Sequence, residues 1–185
     1  MPIYFNLEEL RKKHDCKIYL ETGLWDSTNP SVSIKKAIKS NFEKIFSIEI
    51  LDKWIEIGNE VFQEEIKNGR VEIIKLDSAD LCLLLNREEF NNKTLFYLDA
   101  HVDNHEITNF KFKCPIFNEI NAIKNLNRKD NIILIDDLRV FKTNNPWDEN
   151  SYGDIEYITE IKKSILEINP NYIFDIMDDI LYCYI

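Results

Sequence analysis

Asp99, His101, Asp136 and Asp137 stand at the ends of two short apolar runs. Residues 94–101 read Thr-Leu-Phe-Tyr-Leu-Asp-Ala-His, and residues 131–139 read Asn-Ile-Ile-Leu-Ile-Asp-Asp-Leu-Arg. Runs of leucine, β-branched and aromatic residues suit strands buried on both faces of a parallel sheet. In an open α/β sheet, ligands sit outside the carboxyl ends of the strands. Two such ends would bring these carboxylates and the imidazole to one crevice. Clustered carboxylates can hold a hard cation. An imidazole titrates near neutrality and can act as a general base. The plainer alternatives are a strand-end turn or helix cap at Asp136 and Asp137, and an idle loop histidine at His101. His105 is an equally available imidazole.

Three earlier runs end in comparable chemistry. The first closes on Glu21-Thr22-Gly23, where a glycine lets backbone turn tightly and approach a ligand. The second closes on Glu49, 26 residues after Gly23. An acid there can accept both ribose hydroxyls of a nucleoside, or can simply cap the next helix. The third closes on Asp77-Ser78, which can bond an adenine amino group or cap the helix that follows.

The elements that must position these residues alternate along the chain. Strands are expected at 17–20, 44–48, 71–76, 94–98 and 132–135. Helices are expected at 6–14, 32–41, 52–68, 79–86, 115–126 and 155–168, the last halted by Asn169-Pro170. Residues 172–177 and 180–184 read as a terminal hairpin around Asp178-Asp179. Such alternation implies a parallel sheet wrapped by helices, with the hairpin adding antiparallel strands at one edge. The expected fold is α/β: a Rossmann-like three-layer sandwich with a seven-stranded, mostly parallel sheet, in one domain spanning 1–185.

Bulk properties narrow the partners. The 185 residues are 44% hydrophobic and carry a net charge of −10, which argues against nucleic acid bound through a broad basic surface. No apolar stretch approaches the roughly 20 residues that span a bilayer, and the first 15 residues lack a signal-peptide core. Cys16, Cys82, Cys114 and Cys183 are scattered with no paired spacing, which fits a reducing, cytoplasmic setting.

The ordered strand ends resemble those of class I S-adenosylmethionine-dependent methyltransferases. Phe46-Ser47-Ile48-Glu49 and Leu76-Asp77-Ser78-Ala79 carry the likeness to the cofactor-binding half. Phe96-Tyr97-Leu98-Asp99-Ala100-His101, Cys114-Pro115-Ile116-Phe117-Asn118-Glu119-Ile120 and Ile135-Asp136-Asp137 are similar to small bacterial methyltransferase-like proteins of glycan or secondary metabolism. They also resemble the metal-dependent sugar methyltransferases of the macrocin O-methyltransferase family. That resemblance implies methyl transfer to a hydroxyl of a sugar or other small polar acceptor. It implies S-adenosylmethionine contacts at Glu21, Thr22, Gly23, Glu49, Asp77, Ser78 and Asp99. It implies a divalent cation, magnesium in type, on Asp99, Asp136 and Asp137. The family's general base, two residues after the first aspartate, falls on His101.

Two departures from the family stand out. The loop Leu24-Trp25-Asp26-Ser27-Thr28-Asn29-Pro30-Ser31 lacks the later glycines of a cofactor loop. Either Trp25 and Pro30 obstruct the methionine moiety, or the hydroxyls of Ser27, Thr28 and Ser31 replace backbone contacts. The chain also begins almost at its first strand, so substrate enclosure is loose or comes from a second subunit in a homo-oligomer. A non-catalytic binding or scaffold domain is the alternative function. Metal-dependent hydrolysis ranks third, since it leaves the acids of strands two and three without a purpose. Trp147, in the loop 142–153, is open to sugar stacking or to packing.

Overall fold

A computed structural model describes residues 6–101, 114–139, 141 and 156–185. His105, Trp147 and all of the 142–153 loop lie outside these residues. The chain opens with α1 (Leu7–His14), whose first turn is capped by Asn6 Oδ1 accepting from the Glu8 and Glu9 N–H groups. There follow β1 (Ile18–Thr22), α2 (Ser33–Lys39), β2 (Lys44–Glu49), α3 (Asp52–Val61), α4 (Gln63–Lys67) and β3 (Val71–Lys75). The second half holds β4 (Thr94–Leu98), α5 (Ile116–Lys124), β5 (Ile132–Ile135), α6 (Tyr157–Leu166), β6 (Ile173–Met177) and β7 (Ile180–Tyr184).

The seven strands form one sheet in the order β3-β2-β1-β4-β5-β7-β6. The expected mostly parallel sheet with a terminal antiparallel hairpin is what forms. In detail, β7 slots between β5 and β6 and runs against both, so β6 alone forms the outer edge. The strand order reverses between β1 and β4, which pair in parallel from Ile18↔Thr94 to Thr22↔Leu98. A crevice opens at such a reversal, because the following connections leave to opposite sides.

Each central strand feeds two cores, which explains its unbroken apolar run. One face presents Leu20, Phe46, Phe96 and Ile133 to Leu81, Ile120, Ile123 and Ile161. The other presents Tyr19, Ile45, Leu95 and Leu134 to Leu10, Ile34, Ala37 and Phe42. Alternation of side chains along a strand makes both faces possible at once.

Two helices differ from expectation. The 52–68 helix breaks at Phe62, whose backbone (φ −110°, ψ 23°) leaves the helix while its ring is buried in the second core. The expected 79–86 helix is a tighter 3₁₀ helix, Ser78–Leu83, and a further 3₁₀ turn covers Glu88–Asn91. Gly58 lets α3 lie close to its neighbours: a Cβ there would stand 2.7 Å from Ile73 Cδ1 and 2.8 Å from Leu24 Cδ2. Among the described residues, no helix is long and apolar enough to cross a membrane.

Candidate functional site

The crevice begins at Gly23. Its φ of +87° is a left-handed value, and a Cβ at this position would stand 2.7 Å from the Asp99 carbonyl oxygen. Only glycine allows the β1 end to pass so close to the β4 end. The join is completed by the Asp99 N–H, which donates to the Thr22 carbonyl and to Thr22 Oγ1, each at 3.2 Å.

Glu21, the residue before, is turned away from this crevice. It is fully buried and shares the Tyr19 face of β1. Tyr19 donates to its Oε2 at 3.0 Å, Ser47 donates to Oε1 at 2.6 Å, and Ser33 on α2 also donates to Oε2. Burial pushes its pKa up to about 7 against these three hydroxyls.

Glu49 is nearly buried, and its carboxylate organises backbone. Oε1 accepts from Ile50 and Leu51 N–H at 2.8 and 2.9 Å, and Oε2 accepts from Trp25 N–H at 3.0 Å. It thus ties the β1 loop to the start of α3. Trp25 sits at φ +55° and is 53% exposed, an unusual combination for a bulky side chain. Asp26 accepts from the Thr28 N–H and hydroxyl, and Asn29 does the same for Ser31. Two of the three loop hydroxyls are therefore engaged locally, and Ser27 Oγ is buried without a partner among the described residues. Asp77 caps the 3₁₀ helix through Ala79 N–H at 2.9 Å, while Ser78 is buried beside it.

At the other side of the crevice, the β4 and β5 ends join three groups. His101 Nε2 lies 2.9 Å from Asp137 Oδ2, and His101 Nδ1 lies 3.7 Å from Asp99 Oδ1. Ligand atoms of Asp99, His101 and Asp137 fall within 4.8 Å of one another. The Asp99–His101 approach comes from a tight turn, with the His101 N–H facing the Asp99 carbonyl at 3.3 Å, and not from extended backbone. Asp137 reaches His101 because its own φ is +58°, a left-handed value that aspartate tolerates. Arg139 donates to its second oxygen at 2.5 Å. Burial raises the Asp137 pKa, but His101 and Arg139 outweigh it and hold the carboxyl below its usual range. Burial pushes Asp99 the other way, upward.

Asp136 does not join that triad. The Tyr97 hydroxyl donates to one of its oxygens, and the Asp137 N–H donates to the other at 2.7 Å. Its side chain still borders the cleft, just past the end of β5, as Asp99 does just past the end of β4. Adjacent acids at a strand end separate because the backbone turns between them.

Among the described residues the cleft encloses about 10 Å³, with Leu98, Ile116, Ile135 and Phe141 as apolar walls. That is far below the roughly 300–1,000 Å³ usual for a whole small-molecule site. Two residues were not singled out from sequence. Arg139 braces Asp137. Glu119, on α5, lines the cleft while only 1% exposed. Its signal was legible: it falls on the buried stripe Ile116, Glu119, Ile120, Ile123, where an acid is out of place.

No protein-family model matches the chain, and no curated protein does. Solved structures do. A methyltransferase from Podospora anserina, PaMTH1, with SAH bound, aligns with a TM-score of 0.57 at 15% identity, over 96% of this chain and 75% of that one. An O-methyltransferase from Bacillus cereus in complex with SAH gives 0.55 at 14% identity, over 97% and 79%. A Clostridium thermocellum protein described as an rRNA methylase gives 0.53 at 16% identity, over 99% and 98%. The chain has the Rossmann-like fold of S-adenosylmethionine-dependent methyltransferases. At this identity the likeness is one of fold, and one fold hosts many chemistries, so activity must be argued from the site itself.

Proposed function

We propose that this protein is an S-adenosylmethionine-dependent O-methyltransferase acting on a sugar or another small polar hydroxyl acceptor. The observation that carries the reading is the His101–Asp137 pair, set at 2.9 Å beside the close passage of Gly23 and Asp99. The glycine-only cradle and the partnerless buried oxygen of Glu119 both fit a nucleoside donor that bears an amino-acid tail. In this reading Glu49 serves the ribose and Asp77-Ser78 the adenine of such a donor, by the strand-end rule of open α/β sheets.

When bound, the donor supplies an electrophilic methyl carbon on a sulfonium. The chain's own groups align the acceptor and take its proton. With Nε2–H donated to Asp137, the His101 lone pair is on Nδ1, which faces Asp99 and the cleft. Nδ1 would take the acceptor hydroxyl's proton, freeing that oxygen to attack the methyl carbon that a bound donor would supply. Asp137 stabilises the imidazolium, as a carboxylate does for any histidine base. Arg139 keeps Asp137 ionised. Apolar walls from Leu98, Ile135 and Phe141 keep the reacting end dry.

Asp99, His101 and Asp137 are also the residues that would hold a divalent cation, with Asp136 alongside. A cation there would lower the pKa of an acceptor hydroxyl. His101 then serves as ligand, so the metal and base roles are separable by experiment. The net charge of −10 supports a small acceptor over nucleic acid. A non-catalytic binding domain is the second reading, favoured by Trp25 in a glycine-like conformation at the donor loop.

Titration calorimetry with S-adenosylhomocysteine (SAH), followed by methyl transfer to a panel of sugars with and without magnesium, tests the reading. Binding plus methylation supports it. Binding without methylation of any hydroxyl favours the second reading, and absence of binding refutes both a methyl donor and the fit argued above.

A further inference from the structure

Glu119 is an acid that the fold buries but does not satisfy. It is 1% exposed, it lines the cleft with Asp99 and His101, and its Oε1 has no hydrogen-bond partner among the described residues. The Thr22 and Ser78 hydroxyls face it from the ends of β1 and β3, and burial outweighs them, raising its pKa to about 7. A buried acceptor left open costs stability, and a buried carboxylate costs more unless a positive group meets it. Among the described residues lining the cleft, the basic side chain is His101, already engaged by Asp99 and Asp137. Among the described residues the lining is acidic, with Asp99, Glu119 and Asp136 beside the His101 imidazole. Such a pocket selects a cationic guest.

We propose that Glu119 binds the α-ammonium group of the donor's amino-acid portion. The inference rests on the methyltransferase reading above. One position and one charge argument favour the ammonium over the adenine amino group. Thr22 stands at the Gly23–Asp99 crossing, where the tail of the donor must pass. An uncharged amine would also leave the burial of the carboxylate uncompensated, whereas an ammonium offsets it. Glu119 is thus a binding residue that fixes the tail, and through it the direction of the methyl group.

The test is calorimetry on the full chain with three probes: SAH, its deamino analogue, and 5′-methylthioadenosine, which lacks the amino-acid portion. The wild type should bind SAH about 10- to 100-fold more tightly than the deamino analogue, the usual range for a hydrogen bond to a charged group. Glu119→Gln should lose that same factor for SAH and leave the other two probes unchanged, with a melting temperature at or above the wild type. Wild-type affinity for SAH in Glu119→Gln would overturn the assignment. So would an equal loss for all three probes, which would put the acid against the adenosyl part. Should Glu119→Gln fail to fold, the wild-type preference for SAH over its deamino analogue decides alone, and no preference overturns the proposal. A wild type that binds none of the three removes the methyltransferase reading, and this inference with it.

Discussion

Two buried glutamates lie on opposite faces of the same sheet. Glu21 points toward α2 and receives three hydroxyls, from Tyr19, Ser33 and Ser47. Glu119 points from α5 toward the β1 and β3 ends and keeps one oxygen open. Burial raises both to about 7, so the shift in acidity does not separate them. The count of partners does. A fully satisfied buried acid is a fastening within the fold, whereas an open one facing a cleft awaits a ligand. The same contrast holds for the faces as wholes: one side fastens α2 to the sheet, and the other gathers His101, Asp99 and Asp137.

The largest expected effect lies on the cleft side. His101→Ala should lower turnover about 10²- to 10⁴-fold, the usual loss for a general base, while leaving SAH affinity and melting temperature close to wild type. Full activity with a verified acceptor would end the base assignment. Glu21→Ala should behave oppositely. It strips three buried hydroxyls of their acceptor and opens a cavity, so urea unfolding should report a loss of about 3 kcal/mol or more. Donor affinity of the folded fraction should hold. A Glu21→Ala protein as stable as wild type would break the comparison.

The pH dependence sharpens it. Burial raises each glutamate to about 7 in the folded protein, from an ordinary value of 4.5. The native state therefore binds more protons than the unfolded chain in that window. Stability is full below about 4.5 and falls as pH rises toward 7, by up to about 3 kcal/mol for each acid, with no further change from these groups above. Urea unfolding at pH 5 and pH 8 should show the decline, and Glu21→Gln should remove about half of it. A flat profile in the wild type would mean that neither acid takes up a proton on folding. The smallest effect is at the donor end. Glu49→Ala should weaken SAH binding by roughly 1.5–3 kcal/mol. Part of that loss would come from the freed Trp25, Ile50 and Leu51 N–H groups. An unchanged affinity would move the ribose away from Glu49.

Much of the fold was legible because burial on two faces leaves a plain mark. Residues 94–98 and 132–135 are apolar throughout, and those strands formed with the expected bounds. The break at Phe62 was not legible, since 52–68 keeps helical spacing across it, and only the second core decides that Phe62 turns inward. Strand order was beyond reach for a similar reason: the place of β7 between β5 and β6 depends on which edge the returning chain meets.

For the site, sequence by itself determined which acids and which imidazole end the strands. Residue type and the period of two suffice for that. Which of them meet was decided only in three dimensions. A left-handed backbone at Asp137 sends one aspartate to His101 and its neighbour to Tyr97. Glu21 and Glu119 are alike in composition and burial, and no local pattern tells them apart. Their difference arises because hydroxyls from three separate segments converge on Glu21, while the space before Glu119 Oε1 is left open by the packing of α5 against distant strands. Hydrogen-bond partners across long sequence separations are a product of packing, and packing is where a fastening and a binding group part ways.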